Sequence, residues 1–186
     1  MPSADRADSG TSLAGPAIPR SLMIIGAFSS GRGCNIRDCR LLAVARRLAR
    51  CHRRQWAAED ACRVPGVTAD EVARLKRRID ALNACRVALV EQIDVWAEGE
   101  IGHVGAGILH TETLGSVVDR LAVAWVRANN LAATGDQPFL ARRAWRQLAE
   151  LAEAYDGLVT EVAGGRRRLP AWRPLKSYRA GAAGGQ

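Results

Sequence analysis

From Val72 to Trp96 apolar residues return every three or four positions: Val72, Leu75, Ile79, Leu82, Leu89, Ile93 and Trp96, interrupted once by Arg86. That spacing puts them along one face of a long helix. Its start is marked by a capping box, Thr68 with Glu71, and by Val67 paired with Val72 as a hydrophobic staple. A stripe of this length needs partners, and the rest of the chain offers them. A first long helix is expected from Asp38 to about Arg63, where Pro65-Gly66 stops it, with Leu41, Leu42, Ala45, Leu48 and Ala49 inward. A third should run to about Ala133 on Leu114, Val117, Leu121, Ala124 or Trp125, Ala128 and Leu131. A fourth, Phe139 to about Ala163, carries Ala144, Leu148, Leu151, Tyr155, Leu158 and Val162 and ends at Gly164-Gly165. No segment shows the alternation of a strand. The expectation is an all-α, antiparallel bundle of about four long helices.

The bundle domain then spans 38–163, between a leader at 1–37 and a tail at 164–186. The leader is rich in Gly, Ser, Ala and Pro, and is expected to be disordered or loosely docked, with Leu22 to Phe28 free to pack as a short helix or strand. That apolar run is far shorter than the ~20 residues a membrane span needs, and no clean signal-peptide pattern follows it, so a cytoplasmic protein is expected. The net charge of +8 belongs to the ends: from Asp38 to Glu161 acidic and basic residues balance at 17 each. The tail carries Arg166, Arg167, Arg168, Arg173, Lys176 and Arg179 with no acid, interleaved with Trp172 and Tyr178. A neutral body argues against nucleic acid as the partner. The five cysteines form no CxxC pair and are read as reduced structural thiols rather than a zinc set.

Polar residues interrupt three of the stripes. On the first helix the inward spacing continues through His52, Trp56, Glu59 and Arg63. On the second, Arg86 sits in the apolar seam, with Asp80, Asn83 and Asp94 on the adjoining stripe. A guanidinium there either serves a ligand, ion-pairs across helices for register, or extends to the surface. The third is the densest: Leu109-His110-Thr111-Glu112-Thr113-Leu114-Gly115-Ser116-Val117-Val118-Asp119-Arg120-Leu121. A helix N-terminus offers unpaired N–H groups and a positive dipole end to an anion. The same residues also read as a capped helix, with Thr111 or Thr113 as N-cap and Glu112 as a first-turn acid. Divalent metal held by His110 with Glu112, Asp119, His52 or Glu59 is a competing chemistry that no spacing favours.

Three of these blocks carry a resemblance: Gln55-Trp56-x-x-Glu59-Asp60-x-x-Arg63; Lys76-x-x-Ile79-Asp80-x-Leu82-Asn83-x-x-Arg86 followed by Glu91 and Asp94; and the Leu109 to Leu121 stretch. With Trp172-Arg173-x-x-Lys176-x-Tyr178, they make the chain resemble an uncharacterised bacterial family, domain of unknown function number 4254, over roughly 41–178. Leu114 departs from its pattern, where Pro would be expected as the first helical residue. The resemblance implies an all-helical bacterial protein with some relatives among glycan or cell-surface biosynthesis functions; it implies no reaction.

The functional expectation is a polar pocket for an anionic small molecule, phosphorylated or sugar-linked, used in bacterial glycan or specialised-metabolite biosynthesis. Trp56, Glu59, Arg63, Asn83, Arg86, Thr111, Thr113, Ser116, Asp119 and Arg120 would bind it, with Arg63, Arg86 and Arg120 clamping its charge. His110 and Glu112 would be the acid–base pair. The alternative is a non-catalytic adaptor docking an acidic protein, a membrane surface or RNA through residues 166–179. Association between copies of the chain is left open.

Overall fold

The structure is a computed structural model describing residues 18–29, 40–101 and 106–171. Five helices follow in order: α1 Ser21–Ser29, α2 Arg40–Ala61, α3 Ala69–Ile101, α4 Leu114–Thr134 and α5 Pro138–Ala163. They form an all-α bundle. Among the described residues none is long and apolar enough to cross a membrane.

The local signals work as read. Thr68 accepts the Glu71 N–H at 3.2 Å and so caps α3, the first half of the expected capping box. Pro138 opens α5 where its missing N–H costs nothing. The α2 stripe of Leu41, Ala45, Leu48 and Ala49 is wholly buried, and Leu89 and Ile93 of α3 share its core. Helix α4 is central. Leu114, Val118, Leu121, Ala122 and Val126 are buried on more than one side, because α2, α3 and α5 all pack on it.

Two features add to this reading. First, the apolar run Leu22 to Phe28, left open as a short helix or strand, packs on the bundle within helix α1. Ile24 and Phe28 of α1 are fully buried, and Phe28 meets Trp125 of α4 with ring centroids 5.8 Å apart. The helix is pinned at its start by Asp156 of α5, whose carboxylate accepts the Ser21 N–H at 2.8 Å and hydroxyl at 2.7 Å. The Tyr155 hydroxyl donates to the Pro19 carbonyl at 2.9 Å. An acid at a helix N-terminus satisfies orphan N–H groups and complements the dipole, so nine residues suffice to dock. Residues ahead of α2 therefore contribute part of the core.

Second, the chain does contain strand pairing. β1 (Ile108–Leu109) runs parallel to β2 (Arg167–Arg168), with Ile108 opposite Arg167. The Ile108 N–H donates to the Arg166 carbonyl at 3.0 Å and the His110 N–H to the Arg168 carbonyl at 2.9 Å. Gly107 permits the approach, since a Cβ there would fall 2.6 Å from the Gly165 carbonyl oxygen. Arg167 then pairs with Glu161, Arg168 donates to the Gly107 carbonyl, and Leu169 joins the core. The first residues of the tail are thus built into the fold. His103, Arg173, Lys176 and Tyr178 lie outside the described residues, as do Cys34 and Cys39.

Candidate functional site

The polar stretch ahead of α4 resolves into a joint. Thr113 is the N-cap and accepts the Ser116 N–H at 3.2 Å. Asp94 of α3 reaches across and accepts the Gly115 N–H at 2.6 Å. Gly115 is required by this contact: a Cβ would fall 2.7 Å from Asp94 Oδ1 and closer still to the Val90 carbonyl oxygen. Asp94 is 3% exposed. Burial pushes its carboxyl above the usual range, although the Gly115 N–H and the Thr113 hydroxyl pull the other way. The anion-accepting end of α4 is therefore occupied by the protein's own carboxylate. Thr113 and Ser116 are spent on the cap, and Thr111 is exposed on the loop.

The side chains of His110 and Glu112 turn to different partners. His110 Nδ1 lies 2.9 Å from the Glu112 carbonyl oxygen and 3.2 Å from its amide nitrogen, so the imidazole is folded onto its own loop. The Glu112 carboxylate instead accepts from Arg120 at 2.6 Å on the surface. The expected three-arginine clamp is also absent, because each guanidinium has gone to a different acid. Arg63 is exposed beside Glu59 and Asp60, Arg86 holds Asp119, and Arg120 holds Glu112. Asp119 and Arg120 are neighbours in sequence but project about 100° apart around the helix. Arg120 consequently faces a groove between α4 and α5, with Val123, Arg127, Gln147 and Glu150, rather than the side where Arg86 lies.

What the fold does bring together is one carboxylate, one guanidinium and one imidazole from three helices. Asp119 of α4 is 5% exposed. Its Oδ1 lies 2.7 Å from Nε2 of His52 on α2, and Arg86 of α3 donates through Nε at 3.0 Å and through Nη2 to Oδ2 at 2.5 Å. Burial alone would raise the Asp119 carboxyl. The hydrogen bonds and charges supplied by His52 and Arg86 outweigh it, and the acid is held below its ordinary range. The same bond raises the already basic Arg86 further against the cost of burying it. Arg86 is thus the seam cation that finds its acceptor inside the bundle.

Above this cluster opens a cleft of about 270 Å³, walled by His52, Gln55, Trp56, Glu59, Arg86, Val123 and Val126. The Arg86 side chain remains 40% exposed. Of its five N–H bonds, Asp119 engages those on Nε and Nη2, and the Nη1 pair has no protein partner among the described residues. Gln55 donates to Asn83 at 2.9 Å, tying the cleft wall to α3. Glu59 takes Lys76 at 3.5 Å and Arg63 at 3.6 Å, which balances its charge at the rim. Behind the wall Cys51 donates to the Leu82 carbonyl at 3.1 Å; burial, followed by the influence of Cys85, pushes its thiol up to about 11, so it stays protonated. Among the described residues no three His, Cys, Asp or Glu side chains converge as metal ligands.

Trp56, Glu59, Asn83, Arg86 and Asp119 are therefore gathered at or beside one cleft, whereas Arg63, Thr111, Thr113, Ser116, Arg120, His110 and Glu112 are not among the residues that wall it. His52 and Gln55 are the additions. His52 continues the 41–45–48 stripe and so was marked for the interior by its spacing. Gln55 carries no such mark, because only the fold sets it against Asn83.

The chain is thus a helical bundle in which a buried acid, cross-linked to a cation and an imidazole, lies beside a cleft. The family described as "Protein of unknown function (DUF4254)" matches residues 42–171, and the chain belongs to it. No curated protein and no solved structure matches the chain.

Proposed function

We propose that the cleft between α2, α3 and α4 binds a small polyhydroxylated molecule bearing an anionic group, of the phosphorylated or sugar-linked kind, and that the chain serves bacterial glycan or specialised-metabolite biosynthesis in the cytoplasm. The observation that carries the reading is Arg86, fixed by Asp119 from below and half exposed at the cleft wall with its Nη1 donors turned away from that bond. A guanidinium held in this way is preorganised for a phosphate or carboxylate. The other walls suit the rest of such a ligand. Trp56 offers a flat apolar face, Val123 and Val126 add apolar lining, and Gln55 and Glu59 accept hydroxyl groups.

The test is a thermal-shift screen of the full chain against sugar phosphates, sugar nucleotides and divalent metals, repeated on Trp56→Ala and Arg86→Ala. Binding to the folded state raises stability by RT ln(1 + [L]/Kd), so modest affinities register. A shift in the wild type that both variants lose supports the reading. No shift with any phosphorylated compound, or an equal shift in both variants, sinks it. A response to metals alone would make the site one for cations. The adaptor alternative draws on residues 166–179, and two of those cations, Arg167 and Arg168, are already engaged within the fold.

A further inference from the structure

We infer that His52 is the proton-transfer group of this cleft, positioned by Asp119, so that a hydroxyl or other X–H group of the bound molecule is acted on there as well as held. The inference rests on the cleft being the ligand site. An ionised carboxylate can only accept, so Nε2 at 2.7 Å from Asp119 must carry the hydrogen. In the neutral ring the lone pair then lies on Nδ1.

Nδ1 has no hydrogen-bond partner among the described residues. The buried side-chain nitrogen or oxygen without a partner among those residues is Arg46 Nε, not His52 Nδ1. A partnerless Nδ1 that is not sealed from solvent, on a ring that walls the cleft, is open to the cleft. By contrast, His110 has its Nδ1 engaged with the main chain of Glu112.

The charges around the ring suit a proton acceptor. Asp119 faces it from α4, Arg86 from α3 beyond that carboxylate, and Glu59 shares the cleft wall on α2. In the step, the X–H bond of the ligand breaks, its proton joins the Nδ1 lone pair, and the electron pair stays on X. The resulting imidazolium lies against the Asp119 carboxylate, and the free Nη1 donors of Arg86 are available to the new anion. The proton afterwards leaves Nδ1 for the product or for water. Asp119 orients the ring and stays ionised, as the acid does in the serine hydrolase triad.

The test is a long-range ¹H–¹⁵N correlation of the ¹⁵N-labelled full chain, followed from about pH 5 to about pH 9. The expected result is a His52 ring with hydrogen on Nε2 and a lone pair on Nδ1 at the alkaline end. In Asp119→Asn the single tautomer should give way to a mixture, a change that loss of packing alone would not produce. Hydrogen on Nδ1 at alkaline pH overturns the inference; if the Asn variant fails to fold, the wild-type spectrum still decides. Glucose 1-phosphate added at fixed pH should shift the Nδ1 resonance. The thermal-shift screen reports on the ligand reading independently, because the tautomer is measured without any ligand.

Discussion

Asp94 and Asp119 are both buried carboxylates anchored at α4, and their surroundings shift them in opposite directions, one toward and one away from the protonated form. Asp94 is held by neutral donors, the Gly115 N–H and the Thr113 hydroxyl, and burial prevails, raising its carboxyl. Asp119 is held by a guanidinium and an imidazole, which prevail over burial and lower it. The difference separates a joint from a site. Neutral donors from one helix turn close a cap and leave nothing over, whereas a guanidinium and an imidazole from two other helices hold a carboxylate ionised beside an open cleft. The polar stretch densest in sequence turned out to be the joint.

The largest expected effect is on the Asp119 side. Asp119→Ala leaves Arg86 and His52 facing an empty buried position. Removing one partner of a buried pair costs roughly 3–5 kcal/mol, and the lower end applies because Arg86 can rehydrate through its exposed face. Chemical denaturation at neutral pH measures this loss. The pH dependence follows from the lowered carboxyl. Its stabilisation is fully present above the ordinary Asp value of about 3.9 and is lost as pH falls through the depressed native value. The gap between wild type and Asp119→Asn should therefore close only in strong acid; a gap constant down to about pH 2 would refute the ionised-acid picture.

Next comes Gly115→Ala on the Asp94 side. The added methyl meets the Val90 carbonyl and Asp94 Oδ1, neither of which can move without parting α3 from α4. A loss of about 2 kcal/mol is expected, as for overpacking in a tight core, and denaturation midpoints would show it. If the variant matches the wild type, the two helices do not approach so closely in solution. Thr113→Ala should cost less, about 1 kcal/mol, the usual value of a lost N-cap, while leaving ligand-induced thermal shifts intact. A loss of ligand response in that variant would return the cap to the binding site.

The fold was legible because its determinants are local. The capping box at Thr68, the stop at Pro65-Gly66 and the 3.6-residue stripes are written in consecutive residues, and the helices follow them closely. The pairing of Ile108–Leu109 with Arg167–Arg168 was not legible, because main-chain hydrogen bonds across so many intervening residues leave no side-chain pattern in two-residue strands. Half of the site was legible in the same sense. Arg86 in an apolar seam announced a buried acceptor, and Asp119 stood among the candidates. His52 was obscured by His110, whose surroundings in sequence are richer in polar residues. Helix rotation decided the matter, turning Asp119 inward to α2 and α3 and Arg120 outward to α5.

Asp94→Asn has the smallest effect and sharpens the comparison most. The amide oxygen can still accept the Gly115 N–H, so the cap geometry survives and stability at neutral pH should change by no more than about 1 kcal/mol. Its sign with pH should be the reverse of that at Asp119. Because the native Asp94 carboxyl is raised, the folded chain binds more protons than the unfolded chain between about 3.9 and the native value. Wild-type stability therefore falls as pH rises through that window, whereas the Asn variant lacks this fall and gains on the wild type. Denaturation midpoints of the two proteins, compared across the window, give the slope directly. A variant that loses ground as pH rises would mean that the donors of α4 already hold Asp94 ionised, and the joint and the site would then differ in location alone.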